Sequence, residues 1–265
     1  MAQANYISQA KEYLRKRISA ELSFQNNLET LIDEYAYKLV DIAYSSNVPP
    51  NLFTFDYNKK INKAVDDLIL EMEQLIISIT ETLAVATHKD NKNKILARIG
   101  SDISGDNFYG RLDNHTDTFK KVTEGIIAAG LLIGASKSKT FAGYKQYLRN
   151  PFLNPIFKDA VKMNAGRAEV LLNKGLHIGV GVSNSPFNAI NTLGRYTIGD
   201  AWMYDGYLEM DAQGAIGYRT MRTSSYPCED CDEAARYTHS LSEGMILPLH
   251  VNCRCIAVPV FRNEI

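Results

Sequence analysis

Apolar residues recur every three or four positions through the first part of the chain, which is the spacing of amphipathic helices. The first run predicts one long or once-broken helix over residues 4–45. Pro49 and Pro50 end it, because proline cannot continue a helical ladder. The second run predicts a helix over residues 57–88. We expect these two segments to pack antiparallel as a long-helix hairpin.

Polar segments interrupt the pattern at residues 88–93 and 101–110, and a third helix is predicted over residues 115–135. This helix contains the longest apolar run of the chain, residues 126–135. The run is about half as long as the roughly 20 residues that a membrane-spanning helix needs. We therefore expect a buried core helix here and no stable membrane span.

The last third of the chain mixes helical and strand patterns. Residues 186–211 have helical periodicity, and Gly214 follows at the position where glycine ends helices. Residues 215–223 alternate as a strand does, and residues 255–261 predict a second strand. Pro259 restricts that strand to an edge or terminal position, because proline cannot donate to a sheet. The expected fold class is α+β and predominantly helical, with the long-helix hairpin followed by a small C-terminal α+β domain.

Composition narrows the class of protein only a little. The chain has 265 residues, of which 45% are hydrophobic, and a formal net charge of −1. A chain of this length can bury a sizeable core, and its charge gives no global attraction to nucleic acid or anionic membranes. We expect an N-terminal helical domain over residues 1–136, a basic hinge or connecting region over 137–185 and a C-terminal domain over 186–265.

Positive charge is concentrated in residues 137–174, where eight basic residues face two acidic ones and aromatic residues are interleaved. Basic side chains neutralise phosphates and aromatic rings stack on bases, so this stretch is a candidate surface for DNA or an acidic partner. A solvated helical face over a core is the commoner origin of such a stretch. The candidate contact residues are Lys137, Lys139, Lys145, Arg149, Lys158 and Lys162.

All four cysteines lie near the end of the chain, in the pattern Cys228-x2-Cys231, eighteen residues, then His250-x2-Cys253-x-Cys255. A structural zinc site typically has two ligands close together in the sequence, then a spacer, then a second group of closely spaced ligands. Zinc takes four such ligands in a tetrahedron, so five candidates compete for four positions. The sequence therefore predicts a structural Zn²⁺ knuckle in the C-terminal domain.

Two ligand sets remain open at this point. If the chain is extended between Cys253 and Cys255, both thiols point to one side, which favours four cysteine ligands with His250 beside them. If the chain turns tightly between His250 and Cys253, the histidine replaces one of the last two cysteines. Two disulfides, or four unrelated reduced thiols, are the alternatives to a metal site.

A zinc ion held entirely by protein side chains has no open position for water and performs no hydrolysis. The sequence Pro227-Cys228-x2-Cys231 matches half of the zinc deaminase signature, but none of the upstream histidines belongs to the other half, H-x-E. Residues 175–265 hold six basic and ten acidic residues, which makes this region a poor reader of nucleic acid. We therefore expect a non-enzymatic protein.

Several segments in the last two-fifths of the chain together resemble a known family. They are GRYTIGDAW at 194–202, GYRTMRT at 217–223, PCEDC at 227–231, Glu243-Gly244 and PLHVNCRC at 248–255. In this order they are similar to the C-terminal domain of tailed-phage head morphogenesis proteins, the Mu F-like minor capsid family. The resemblance covers about residues 160–265, and the N-terminal helices do not share in it.

The resemblance implies a minor capsid or head morphogenesis protein of a tailed phage. Such a protein associates with the phage portal protein and other head proteins, can bind double-stranded DNA without sequence preference, and uses no small-molecule substrate. Its place is the virion, in the capsid interior near the portal, and the host cytoplasm during assembly. The alternatives are a zinc-stabilised nucleic-acid-binding protein unrelated to phages, and a metal-dependent or toxin-like enzyme.

Overall fold

The computed structural model describes residues 2–86, 90–101, 107–149, 155–163, 166, 185–250 and 252–262. Its α-helices are α1 (Ala2–Ser45), α2 (Lys59–Ala84), α3 (Lys92–Ile99), α4 (Phe108–Leu132), α5 (Lys137–Arg149), α6 (Pro155–Met163), α7 (Pro186–Ala212) and α8 (Glu229–Ala234). Its strands are β1 (Gly217–Met221), β2 (Thr238–Ser240) and β3 (Ile256–Val260). The fold is therefore α+β and predominantly helical, as the sequence predicts.

The long helices follow the apolar periodicity closely. Helix α1 ends at Ser45, shortly before the two prolines, and α7 covers the predicted helix almost residue for residue. Gly214 has a φ of 77°, in the left-handed region where glycine ends helices. Helix α2 ends at Ala84, and part of the predicted end of that helix, residues 87–88, lies outside the described residues.

Two predicted breaks are shorter than the sequence suggests. Helix α3 begins at Lys92, inside the first break, because Ile95 and Ile99 are four positions apart and both are buried. Helix α4 begins at Phe108, inside the second break, and the Phe108 side chain is also buried. Burial of these few apolar side chains outweighs the polar composition on which the predicted breaks depended.

The three strands form one antiparallel sheet in the order β2–β1–β3. Gly217 of β1 lies opposite Ser240 of β2 on one side and Val260 of β3 on the other. Strand β3 is an edge strand, which confirms the position that Pro259 predicts. Strand β2 was not predicted, since it has only three residues and carries no alternating pattern.

The chain forms two compact units, each built from segments that lie far apart in the sequence. The first unit consists of Met1–Asn26, Ser78–Phe108 and Thr192–Ile265, and the second consists of Asn27–Ile77 and Tyr109–Asn191. The division into three consecutive domains stays a prediction.

The core of the second unit is aromatic and aliphatic. The Phe119 and Tyr144 rings are fully buried and meet edge to face, with their centroids 6.2 Å apart. Ile126 and Ile127, in the apolar run of α4, are also fully buried, which confirms the predicted core helix. Among the described residues, no helix is long and apolar enough to cross a membrane.

The core of the first unit brings α1 against α7. Trp202 of α7 is buried, and its indole nitrogen donates a 2.9 Å hydrogen bond to the carbonyl oxygen of Leu83. The Tyr13 hydroxyl of α1 donates to the carbonyl oxygen of Trp202 over 2.6 Å. At Gly194 a β-carbon would lie only 2.1 Å from the ring of Phe24, so only glycine permits this close crossing of the two helices.

Candidate metal centre

The first pair of candidate ligands lies at the start of the short helix α8. Cys228 is the N-cap residue, in an extended conformation, and Cys231 lies three positions later on the same face of the first turn. Three acidic residues, Glu229, Asp230 and Asp232, occupy that turn, where they interact favourably with the helix dipole. Their clustering after Cys228 was the available signal for this helix, which the sequence analysis missed.

The second group of candidate ligands lies on a tight turn that leads into β3. The backbone N–H of Cys253 donates to the carbonyl oxygen of His250 over 3.0 Å. Asn252 within this turn has a φ of 65°, a left-handed conformation that asparagine tolerates better than most residues. Cys255 follows directly before β3, so the final ligand is attached to the sheet.

The structure brings all five candidate residues together. The ligand atoms of Cys228, Cys231 and His250 lie within 4.8 Å of one another, and so do those of Cys231, Cys253 and Cys255. The His250 Nε2 atom lies 3.3 Å from the Cys228 sulfur and 3.1 Å from the Cys231 sulfur. Sulfur ligands of a tetrahedral zinc ion lie about 3.8 Å apart, because each Zn–S bond is about 2.3 Å long. The cluster therefore has the dimensions of a metal site, and Cys231 belongs to both groups.

The two chain conformations considered for the ligand set, the tight turn after His250 and the placement of both later cysteines on one side, occur together in the structure. The turn from His250 to Cys253 brings the imidazole to the first cysteine pair, and Cys253 and Cys255 both reach Cys231. A tetrahedral ion takes four of these five residues as ligands. All four cysteines are free thiols, so the alternative of two disulfides does not describe this structure.

Burial and hydrogen bonds divide the thiols into two kinds. Cys231, Cys253 and Cys255 are buried, whereas Cys228 and His250 are half-buried. The hydrogen bond from Cys255 lowers the pKa of the Cys253 thiol to about 5, and it raises the pKa of Cys255 itself. Burial raises the pKa of Cys231 to about 12. A metal ion that binds here must displace the protons of the two high-pKa thiols, so its affinity will depend on pH.

Strand β1 and the residues after it support both halves of the site. The Arg222 guanidinium forms an ion pair with Asp232 of α8 and donates to the carbonyl oxygen of Tyr226, in the segment before Cys228. The neighbouring Thr223 hydroxyl donates to the carbonyl oxygen of Arg254, between the last two cysteines. One short segment therefore holds the two ligand groups at a fixed separation.

Two tyrosines fix the eighteen-residue spacer between the ligand groups. The buried Tyr218 hydroxyl donates to the carbonyl oxygen of Gly244 over 3.2 Å and accepts from the backbone N–H of Ile246 over 3.0 Å. The Tyr207 hydroxyl of α7 donates to the carbonyl oxygen of Leu241 over 3.1 Å. These bonds attach the part of the spacer that follows β2 to β1 and α7.

His239 has a structural role that its place in the sequence does not indicate, since it has no partner there at ligand spacing. Its ring stacks on Tyr218 with centroids 5.2 Å apart, and its Nε2–H donates to the carbonyl oxygen of Ala234 at the end of α8 over 2.8 Å. The contact orders the C-terminal end of α8, the helix that carries Cys231.

A residue far away in the sequence also contacts the ligand turn. Arg17 of α1 is 1% exposed, and its guanidinium donates to the carbonyl oxygen of Cys253. Glu21, one helical turn further along α1, pairs with Arg254 over 2.9 Å. No sequence signal marks these contacts, because more than two hundred residues separate the partners.

The predicted DNA or partner contact residues lie on α5 and α6. Lys137 pairs with Asp41, Lys145 with Asp33 over 2.5 Å, and Lys162 with Asp159 over 3.9 Å. Lys139 is exposed, whereas the side chains of Arg149 and Lys158 lie outside the described part of the chain. The acidic partners offset much of the positive charge that this stretch offers to a phosphate.

The geometry gives a compact group of sulfur and nitrogen ligands between the start of α8 and the turn that leads into β3. No protein-family model matches the chain, and no curated protein or solved structure is significantly similar to it. The resemblance to phage head proteins therefore rests on the sequence motifs alone. Chemically, the site is suited to hold a metal ion whose ligands are all protein side chains, and such an ion would link α8 to β3.

Proposed function

We propose that the C-terminal part of this chain is a zinc-stabilised structural module without catalytic activity. The observation that carries the proposal is the position of Cys231, whose sulfur lies within 4.8 Å of ligand atoms from both ends of the module. Thiolate and imidazole ligands in a tetrahedron favour zinc over calcium or magnesium, which prefer oxygen ligands. An ion with four protein ligands braces the fold and leaves no position for a reacting water.

Metal analysis tests the zinc site directly. Protein purified under reducing conditions should contain about one zinc ion per chain, and cobalt substitution should give the absorption spectrum of a tetrahedral thiolate site. His250→Ala should shift that spectrum or weaken binding, because Nε2 lies 3.1 Å from the Cys231 sulfur. His115→Ala is the matched control, because this histidine lies on α4, and the variant should retain full metal content. Metal-free, folded wild-type protein would overturn the proposal.

We also propose that the protein is a minor capsid or head morphogenesis protein of a tailed phage. The motif order ending in His250-x2-Cys253-Arg254-Cys255 supports this proposal. A module stabilised by a metal ion with four protein ligands, and connected to long helices, suits a protein that binds other proteins during assembly. The proposed partners are the portal protein and other head proteins, with double-stranded DNA as a further, non-specific ligand. The proposed location is the virion interior near the portal.

Co-purification tests the phage assignment. The tagged chain, produced together with the portal and major capsid proteins of the phage that encodes it, should retain the portal as a ring-shaped assembly. Cys231→Ser should lose this partner if the metal-braced module forms the contact, whereas the exposed substitution Leu70→Ala should retain it. A portal that does not co-purify with the wild-type chain, under conditions in which heads assemble, would contradict the assignment.

A further inference from the structure

Helix α1 carries a buried charged cluster within the first unit. Glu21 is 5% exposed and is the carboxylate partner of three guanidinium groups. Its oxygens lie 3.4 Å from Arg17 Nε, 2.9 Å from Arg254 Nη1 and 3.6 Å from Arg195 Nη2. One carboxylate cannot neutralise three guanidinium groups, so the cluster keeps a net positive charge in a region of low exposure.

This charged cluster, formed by Arg17, Glu21, Arg195 and Arg254, is attached to the candidate metal site by one hydrogen bond and by the chain itself. The Arg17 Nη2 group donates to the carbonyl oxygen of Cys253, and Arg254 stands between the two last candidate ligands in the chain. Within the described part of the chain, Arg17 Nη1 has no hydrogen-bond partner, and Arg17 Nε approaches Glu21 as an ion pair without forming a hydrogen bond. The buried cation is therefore incompletely satisfied by hydrogen bonds to the protein alone.

Burying a charged group is costly unless an opposite charge compensates it. Burial lowers the pKa of Arg17, and the charges of Glu21 and of the Cys253 thiolate act in the opposite direction. A zinc ion with three or four thiolate ligands carries a net negative charge, because the thiolates outnumber the two positive charges of the ion. An anionic metal–thiolate group is therefore a suitable counter-charge for the surplus guanidinium groups.

We infer that Arg17, Glu21 and Arg254 support the metal centre in two ways. They position the turn that carries Cys253, and they compensate the negative charge of the metal–thiolate group. The inference rests on the proposed zinc site. Residues that orient metal ligands from outside the coordination sphere commonly change metal affinity 10- to 100-fold when they are removed. Arg17 is a positioning residue in this sense and is itself no ligand.

The same contacts link metal binding to the packing of α1. Leu14 of α1 packs on Ile256 and Val258 of β3, with Tyr6, Ile7 and Ala10 alongside. Metal binding and the packing of α1 on β3 are then two coupled equilibria. Because such coupling is reciprocal, metal binding stabilises the packed α1 by the same free energy by which the packed α1 stabilises metal binding. Removal of the metal should therefore increase the mobility of α1 residues 6–20 as well as that of β3.

Zinc affinity measured by chelator competition on the full chain tests the inference. Arg17→Met should weaken zinc binding roughly 10- to 100-fold, and Arg17→Lys should recover part of the loss by restoring the charge. Arg15→Met is the matched control, because Arg15 lies on the same helix with its side chain 78% exposed and should leave the affinity unchanged. A folded Arg17→Met variant with wild-type affinity would overturn the inference while leaving the zinc site intact.

Hydrogen exchange on the wild-type chain provides a test that needs no variant. Chelation should lower the protection of amides in residues 6–20 by the same order as in β3, whereas amides of α5 serve as the internal control. Unchanged protection of residues 6–20 after complete metal removal would overturn the inference. Wild-type protein that binds no zinc would overturn both the inference and the proposed site, and the affinity measurement distinguishes these outcomes.

Discussion

The second unit and the C-terminal module, residues 215–262, are stabilised in different ways. The second unit buries large side chains such as Phe53, Phe119 and Ile126, and it contains most of α4, a helix of 25 residues. The module has strands of five, three and five residues, and three of its most buried side chains are cysteines. Long helices bury enough apolar surface by themselves, whereas short strands need an additional link.

The energies explain this difference. Each fully buried large apolar side chain contributes about 1.5–3 kcal/mol, and the second unit has many of them. Segments shorter than about 40 residues usually need a disulfide, a metal or a partner to fold, and the module is only a little longer than this limit. The proposed metal ion would join α8 to β3 and, together with packing on α1 and α7, would meet that need.

The largest expected effect is the loss of the metal through Cys231→Ser, since Cys231 is the thiol shared by both ligand groups. Structural zinc supplies roughly 10–16 kcal/mol in zinc-finger peptides, so we expect a loss on the order of 5 kcal/mol in the stability of the module. Zinc content should fall, and amides of β1 and β3 should lose protection while those of α4 keep it. Ser225→Ala, an exposed change in the preceding loop, is the control. Full zinc content in the Cys231→Ser variant would contradict the comparison.

The converse change in the second unit is Phe119→Ala. This ring is fully buried against Tyr144, so its removal should cost about 3–5 kcal/mol in denaturant unfolding and leave the zinc content unchanged. Leu70→Ala on α2, at 55% exposure, should cost less than about 0.5 kcal/mol. If Phe119→Ala also releases zinc, the two regions are coupled and the contrast between them fails.

The smallest expected effect is that of Lys145→Ala on α5. The Lys145–Asp33 pair is partly exposed, so its loss should cost less than about 1 kcal/mol and less still at high salt. If α5 contacts DNA, Lys145→Ala and Lys139→Ala should each lower the slope of duplex affinity against salt concentration by about one. Slopes equal to that of the wild type for both variants would remove α5 as a DNA surface.

Sequence patterns predicted the elements whose signal is local. The spacing of apolar residues predicted helices α1 and α7 and strands β1 and β3, and Pro259 predicted that β3 is an edge strand. Helix α3 and strand β2 escaped prediction, because each is short and owes its formation to neighbours in the fold. The five candidate ligands were identified by their spacing, since ligands two or three residues apart can reach one metal ion from a single short segment.

The amino-acid sequence by itself determined the long helices, the helical class of the protein and the identity of the residues that could hold a metal. Only the tertiary structure decided that His250 and both later cysteines reach Cys231, and that Arg17 and Glu21 of the first helix hold the turn beside them. The physical reason is the distance along the chain over which each kind of interaction acts. Periodicity, proline and ligand spacing act over a few residues, whereas contacts across more than two hundred residues depend on how every intervening element packs.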